Sequence, residues 1–170
     1  PILVPYLLDI SLAPGFDSGG QELLADWDYL ATTDSSAAAY FAAVWQEVLL
    51  HTFADELEDA DVPTGGSRFA AVIENLLADP DNHWWDDVST SNVVETRDEI
   101  LQHALLNARL ELTRKQSQRT EDWAWGQLHT ATPRHAVLGG DGIPTVIRNY
   151  FNSHTLPASG DGLAPQANAW

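Results

Sequence analysis

Apolar residues recur at three- and four-residue spacing through most of the chain, and that period predicts helices. Residues 1–12 are apolar but broken by prolines, and Pro14-Gly15 and Gly19-Gly20 predict a loop after them. Residues 21–30 predict a short amphipathic helix with Leu23, Leu24 and Trp27 on one side. Asp34 is expected to cap the next helix, because its carboxylate can accept orphan backbone N–H groups. That helix carries Ala37, Tyr40, Phe41, Val44, Trp45, Val48, Leu49 and Phe53 and should end near Leu57, ahead of Glu58, Asp59, Asp61 and Pro63. Ser67 predicts the cap of a third helix with the stripe Phe69, Val72, Ile73, Leu76 and Leu77, stopped by Asp79-Pro80. Thr96 and Glu99 form a capping box. The helix behind it should run to about Arg114, with Leu101, Ala104, Leu105, Ala108 and Leu112 on one face, and a short helical turn is expected over 121–126.

Beyond Leu138 the pattern changes. Gly139, Gly140, Gly142, Pro144, Pro157, Gly160, Gly162 and Pro165 leave one helix-sized window, residues 145–151, and no alternating strand is legible. The expected organisation is a helical region over 1–138 and a Gly/Pro-rich irregular segment over 139–170. The expected core joins Trp27, Phe41, Trp45, Val72, Leu76, Leu101 and Leu105. The expected fold class is mainly α.

Composition then removes function classes. The chain has 170 residues, of which 44% are apolar, enough for a folded core rather than disorder. Asp and Glu number 25 against eight Lys and Arg, a net charge of −17. Nucleic-acid phosphates and anionic lipid both call for cations, so neither is an expected partner. No apolar run reaches the roughly 18 residues a membrane helix requires. The absence of cysteine excludes disulfides, zinc–thiolate sites and a thiol nucleophile. With no methionine, a processed or trimmed chain is expected. A single Lys, Lys115, among so many carboxylates also suggests a salt-adapted source, with codon bias toward Ala and Arg as the plainer alternative.

Candidate chemistry is sparse. There is no phosphate loop, no G-x-S-x-G turn and no H-E-x-x-H pair. His51, His83, His103, His129, His135 and His154 have no spacing that makes a metal site. His51 and Asp55, four apart, read as a solvated helical pair. Asp86-Asp87 could share a proton or bind calcium, but an aromatic anchor at Trp84-Trp85 followed by a cap is the simpler reading.

The ordered set of short motifs is more informative. Leu24-Ala25-Asp26-Trp27-Asp28 precedes a Ser-Ser-Ala-Ala-Ala-Tyr helix; Trp84-Trp85-Asp86-Asp87 is followed by Glu95-Thr96-Arg97-Asp98-Glu99. Then come Trp125-Gly126-Gln127-Leu128-His129, Pro133-Arg134-His135, Leu156-Pro157-Ala158-Ser159-Gly160-Asp161-Gly162 and Asn168-Ala169. This order resembles the penicillin acylase family, the penicillin amidases, from about Leu23 onward. The resemblance implies a helical segment of a larger α+β N-terminal-nucleophile hydrolase. Such a precursor cuts itself into α and β subunits, and the new N-terminal Ser of the β subunit attacks the amide with its own amine as base.

By motif order this chain corresponds to the later part of the β subunit. The family's nucleophile, oxyanion Asn and calcium ligands then lie upstream, so no catalytic residue, cofactor or metal is carried onto these positions. His129, His154 and Asp161 are the expected pocket-lining residues. The implied partners are the α subunit, the N-terminal part of the β subunit and a small acyl amide substrate, and the implied location is outside the cytoplasm. The sequence departs from the family pattern at Ala136 and Leu163, and Leu163 replaces an acidic residue that would best suit a role near the active site. A non-catalytic helical binding domain is the alternative.

The charge carries one solution expectation. Self-repulsion should weaken the fold at low salt, and screening should relieve it, since the Debye length falls to about 3 Å at 1 M. The melting temperature should therefore rise as KCl is raised from about 0.1 M to 3 M; a flat or falling series leaves codon bias as the explanation of the composition.

Overall fold

The computed structural model describes residues 2–58, 63, 65, 67–152 and 154–160. Among them the chain forms seven α-helices: α1 (Leu3–Asp9), α2 (Ser18–Ala25), α3 (Ser36–Phe53), α4 (Ser67–Leu77), α5 (Arg97–Lys115), α6 (Trp125–Leu128) and α7 (Thr145–Phe151). Single 3-10 turns cover His83–Trp85 and Thr120–Asp122. The expected mainly α class is what the structure shows.

The pairing of α3 with α5 organises the fold. Ala39 and Ala43 on α3, and Ala104 and Ala108 on α5, are buried at i, i+4 spacing. Small side chains on both helices let the axes approach closely. Val44, Val48 and Leu49 meet Leu101, Leu105 and Leu112 in one buried cluster. Tyr40 is fully buried at this interface, and its hydroxyl donates to the Leu105 carbonyl at 3.0 Å. Burial pushes the phenol well above its ordinary range, so it remains a donor at any physiological pH.

The cap and loop expectations divide. The Thr96–Glu99 capping box forms, with both reciprocal bonds present. The cap of α3 is Ser35 rather than Asp34: the Ser35 Oγ accepts the Ala38 N–H at 3.1 Å. The expected Ser67 cap lies outside the described side chains. Gly19 and Gly20, expected in a loop, lie inside α2, which ends at Ala25 rather than reaching residue 30. The reason is tertiary. A Cβ on Gly20 would stand 2.5 Å from the Tyr40 ring, so glycine lets α2 lie flat on that ring. The α2 residue Gln21 also caps α1, donating to the carbonyls of Leu7 and Ile10 at 2.7 Å each.

The expected core also shifts. Leu76, Leu101 and Leu105 are inside it, whereas Trp27, Phe41, Trp45 and Val72 are half-buried and pack against it from outside. Trp45 is half-buried although Leu49, one turn further along the same face of α3, is fully buried, so the cover over that face is incomplete at Trp45. The large buried indoles are Trp85 and Trp123 instead. Trp85 donates to the Asp79 carbonyl at 3.0 Å, consistent with the aromatic anchor reading of the Trp84-Trp85 pair.

No strand was legible in the sequence, yet a two-stranded antiparallel ladder joins β1 (Thr130–Ala131) to β2 (Leu156–Pro157). Two residues per strand cannot produce an alternation, so its pattern carries no signal. No helix among the described residues is long and apolar enough to cross a membrane.

The distribution of burial sets an order of energies. Trp123→Ala should cost about 3–5 kcal/mol, the usual loss for a fully buried large aromatic, and Trp45→Ala about 1–2 kcal/mol. Chemical denaturation of both variants checks this, and an equal or inverted pair would contradict the assigned face of α3.

Candidate functional site

The Trp125-Gly126-Gln127-Leu128-His129 motif builds a junction between distant parts of the chain. The Gly126 N–H donates to the Thr33 carbonyl at 2.7 Å, and a Cβ on Gly126 would stand 2.7 Å from the Pro157 side chain. Only glycine lets α6 sit between these two segments. The Trp125 and His129 rings stack with centroids 4.9 Å apart. Trp125 Nε1 donates to the Gly160 carbonyl at 2.8 Å, and Gly160 N donates to the Ala31 carbonyl at 2.8 Å. His129 Nδ1 meets the Ala158 carbonyl at 3.1 Å, and the Ala158 N–H returns a bond to the His129 carbonyl at 2.9 Å. A carbonyl oxygen can only accept, so His129 carries a proton on Nδ1 and, when neutral, presents Nε2 as an acceptor.

His129 is therefore held half-buried in this junction. His154 is exposed, beside Thr155, whose hydroxyl meets that of Thr132 at 2.7 Å. Asp161 lies outside the described residues. None of the contacts described joins His154 to His129.

A separate cleft of about 370 Å³ is lined by Glu47, Leu50, His51, Ala54, Asp55, Asp87 and Ser89. His51 does not pair with Asp55. Its Nε2 lies 2.9 Å from Asn107 Nδ2 and 3.5 Å from Glu47 Oε2. Asn107 also donates to Glu47 at 3.2 Å. The neighbouring His51 imidazole first, and the Asn107 amide after it, hold the Glu47 carboxyl below its ordinary range, while burial opposes them. Glu47 and His51 are four apart on α3, a spacing the sequence offers. Asn107 comes from α5, and no local signal announces it.

On the other side of the cleft, Asp55 Oδ2 accepts the Val88 N–H at 2.7 Å and ties the end of α3 to the loop after Trp85. Asp55 Oδ1 is buried without a donor of its own. The adjacent Glu56 carboxyl is pushed up to about 7, first by desolvation, then by a hydrogen bond to Asp55, then by the charges of Asp55, Asp86 and Asp87.

Asp86 and Asp87 do not fit a calcium site. Asp86 Oδ1 accepts the Glu95 N–H at 3.2 Å, and Asp87 Oδ1 accepts both the N–H and the hydroxyl of Ser89 at 2.9 and 2.6 Å. Those oxygens are occupied in shaping the loop. No group of three or more His, Asp or Glu among the described residues is arranged to hold a metal. The Ser89 hydroxyl donates to the Asp87 carboxylate and not to a histidine, so no Ser–His pair is formed in this cleft. Its lining offers carboxylates and an imidazole that can accept hydrogen bonds from a polar ligand.

Glu56 gives this region a pH dependence. Its folded value lies above the ordinary 4.5, so the native state holds the proton more tightly and stability falls as pH rises from about 4.5 to 7. Glu56→Gln should stabilise the chain above pH 7 by about 1 kcal/mol, the small figure reflecting an exposed side chain, and the gain should vanish below pH 4.5. Thermal melts across that range check it, and a pH-independent difference would contradict it.

No curated protein matches the chain. The family model described as Penicillin amidase matches residues 2–170. That span is nearly the whole chain, and it includes the Trp125–His129 junction and the Trp84–Asp87 loop whose motifs first suggested the likeness. By its motif order, its helical architecture and this match, the chain belongs to the penicillin amidase family.

Proposed function

We propose that this chain is the helical, later part of the β subunit of an autoprocessed amidohydrolase that cleaves linear amide bonds of acylated amines, such as penicillins, cephalosporins or acyl-homoserine lactones. The observation that carries this reading is the family match across residues 2–170. The nucleophilic Ser, its α-amino base and the oxyanion donors belong upstream, as do the family's calcium ligands. The α subunit and the earlier β subunit are then this segment's partners, and the enzyme works outside the cytoplasm of a salt-adapted cell.

In this reading the described residues act as scaffold. The Trp125–His129 junction pins the 156–160 segment against residues 31–33. Residues 156–160 are thereby held against the helical body. Pocket-lining roles for His129, His154 and Asp161 are part of this proposal and rest on the family likeness. The acceptor nitrogen of His129 is the best-prepared of them, because its tautomer is set by Ala158.

A non-catalytic helical binding domain is the second reading. The observation favouring it is that the cleft among the described residues holds no Ser–His pair, its serine being bonded to Asp87.

The whole precursor separates the two. Expressed intact, it should mature to a β subunit beginning with Ser and hydrolyse at least one of phenylacetyl, long-chain acyl or glutaryl amides, while the 170-residue chain alone turns over none. An unprocessed, inactive full-length protein would support the binding-domain reading.

A further inference from the structure

The loop between the Trp84-Trp85 anchor and the Thr96–Glu99 box is held by carboxylates. None of residues 86–95 is buried, so apolar packing gives this stretch little hold of its own. Both of its ends are fixed: Trp85 is fully buried, and the capping box opens α5. Between them four backbone N–H groups donate to acidic side chains. Val88 donates to Asp55 Oδ2 at 2.7 Å, and Ser89 to Asp87 Oδ1 at 2.9 Å. Asp87 donates to Glu95 Oε2 at 3.1 Å, and Glu95 to Asp86 Oδ1 at 3.2 Å. These last two bonds cross the neck of the loop in opposite directions and form a reciprocal clasp. The Ser89 and Thr90 hydroxyls add bonds to Asp87 and Glu95 at 2.6 and 2.8 Å.

The ion pairs among the described residues leave Asp55, Asp86, Asp87 and Glu95 out. The charged and titratable groups around them are Glu56 beside Asp55, Glu47 and His51 on the α3 side of the cleft, and Glu99 and His103 on α5. Arg97 is turned away, to the Leu77 carbonyl and Asp98. Two effects then compete. Ionised carboxylates repel one another, yet they are the stronger acceptors. At Asp87 and Glu95 the bonds win. The Ser89 hydroxyl, then its N–H, holds Asp87 below the ordinary carboxylate range, and the Thr90 hydroxyl does the same first for Glu95. Protonation would weaken each acceptor and turn one of its oxygens into a donor.

We propose that residues 86–95 form an acid-released flap on the cleft, closed while Asp55, Asp86, Asp87 and Glu95 are ionised and freed as one unit when they take up protons. Asp87 and Ser89 line the cleft, so release removes one of its walls while the helices stay folded. A carboxyl held low contributes stability that is lost as pH falls through its folded value. The flap therefore opens below the ordinary 3.8 of Asp87 and 4.5 of Glu95. Glu56 works in the opposite sense, since it is already protonated where the flap opens. The flap needs no catalytic role for the chain.

Hydrogen–deuterium exchange on the whole protein, read by mass spectrometry from about pH 3 to pH 7 and corrected for the intrinsic pH dependence, tests this. Between about pH 6 and pH 3, protection over 86–95 should fall at least tenfold, while residues 100–112 of α5 keep theirs. The double variant Asp86→Asn/Glu95→Gln cannot titrate at the clasp and keeps its acceptor oxygens, so its fall should shrink to about threefold or less. Full protection retained at the acid end, a loss in step with α5, or the same tenfold fall in the double variant would each overturn the flap. If the double variant fails to fold, Glu95→Gln alone supplies the comparison, with the same expectation of a smaller fall.

Discussion

A buried cation holds the helices of this chain in place. Arg109 on α5 is 5% exposed and has no carboxylate bonded to it among the described contacts. Its guanidinium lies between two aromatic rings, 4.3 Å from the Phe16 centroid and 4.8 Å from that of Trp123. Nε donates to the Phe16 carbonyl and Nη2 to the Gln118 carbonyl, both at 2.8 Å, and Nη1 reaches the Thr113 hydroxyl at 3.2 Å. Desolvation lowers its affinity for the proton, yet a guanidinium keeps its charge at any pH of interest. Aromatic faces and carbonyl dipoles replace the water it has lost.

From that cation the packing spreads outward. Trp123 stacks on Tyr40 at 5.7 Å, Tyr40 bonds back to α5 through Leu105, and its ring supports Gly20 of α2. Trp123 Nε1 donates to the Ser117 carbonyl at 2.7 Å, and its own carbonyl accepts the Ser36 hydroxyl at the start of α3. Two residues on, Trp125 opens the junction that fixes residues 156–160. The route from a buried charge to residues 156–160 is therefore continuous. A second arginine works similarly at the opposite end of α5: Arg97 bonds to the Leu77 carbonyl and lies 5.0 Å from the Tyr6 ring, binding α1 and α4 to the helix start.

What the sequence made legible followed the range of the physics. The stripes of α3, α4 and α5 and the Thr96–Glu99 box are local, and they form as the spacing implies. The Gly19-Gly20 pair read as a loop because its true reason, the flank of Tyr40 twenty residues on, is not local. Asp34 and Ser35 are both good caps, and nothing in the sequence alone chooses between neighbours. A large aromatic in a helical window is usually core, and whether Trp45 is covered depends on what packs over that part of α3, which is not local. The motif Trp125-Gly126-Gln127-Leu128-His129 pointed to the family, while its structural use, a staple to residues 33 and 157–160, needed the fold. Arg109 gave no signal at all, since its partners come from residues 16, 113, 118 and 123 together.

The account depends most on the cation cage, and a double-mutant cycle between Arg109→Met and Trp123→Leu measures it most directly. Each change alone leaves the other partner without its contact, and Arg109→Met also leaves the Phe16 and Gln118 carbonyls without a donor. If the cage couples these helices, the pair should deviate from additivity by about 1–2 kcal/mol in unfolding free energy. Additivity within about 0.3 kcal/mol would contradict it and leave Arg109 and Trp123 as independent buried residues.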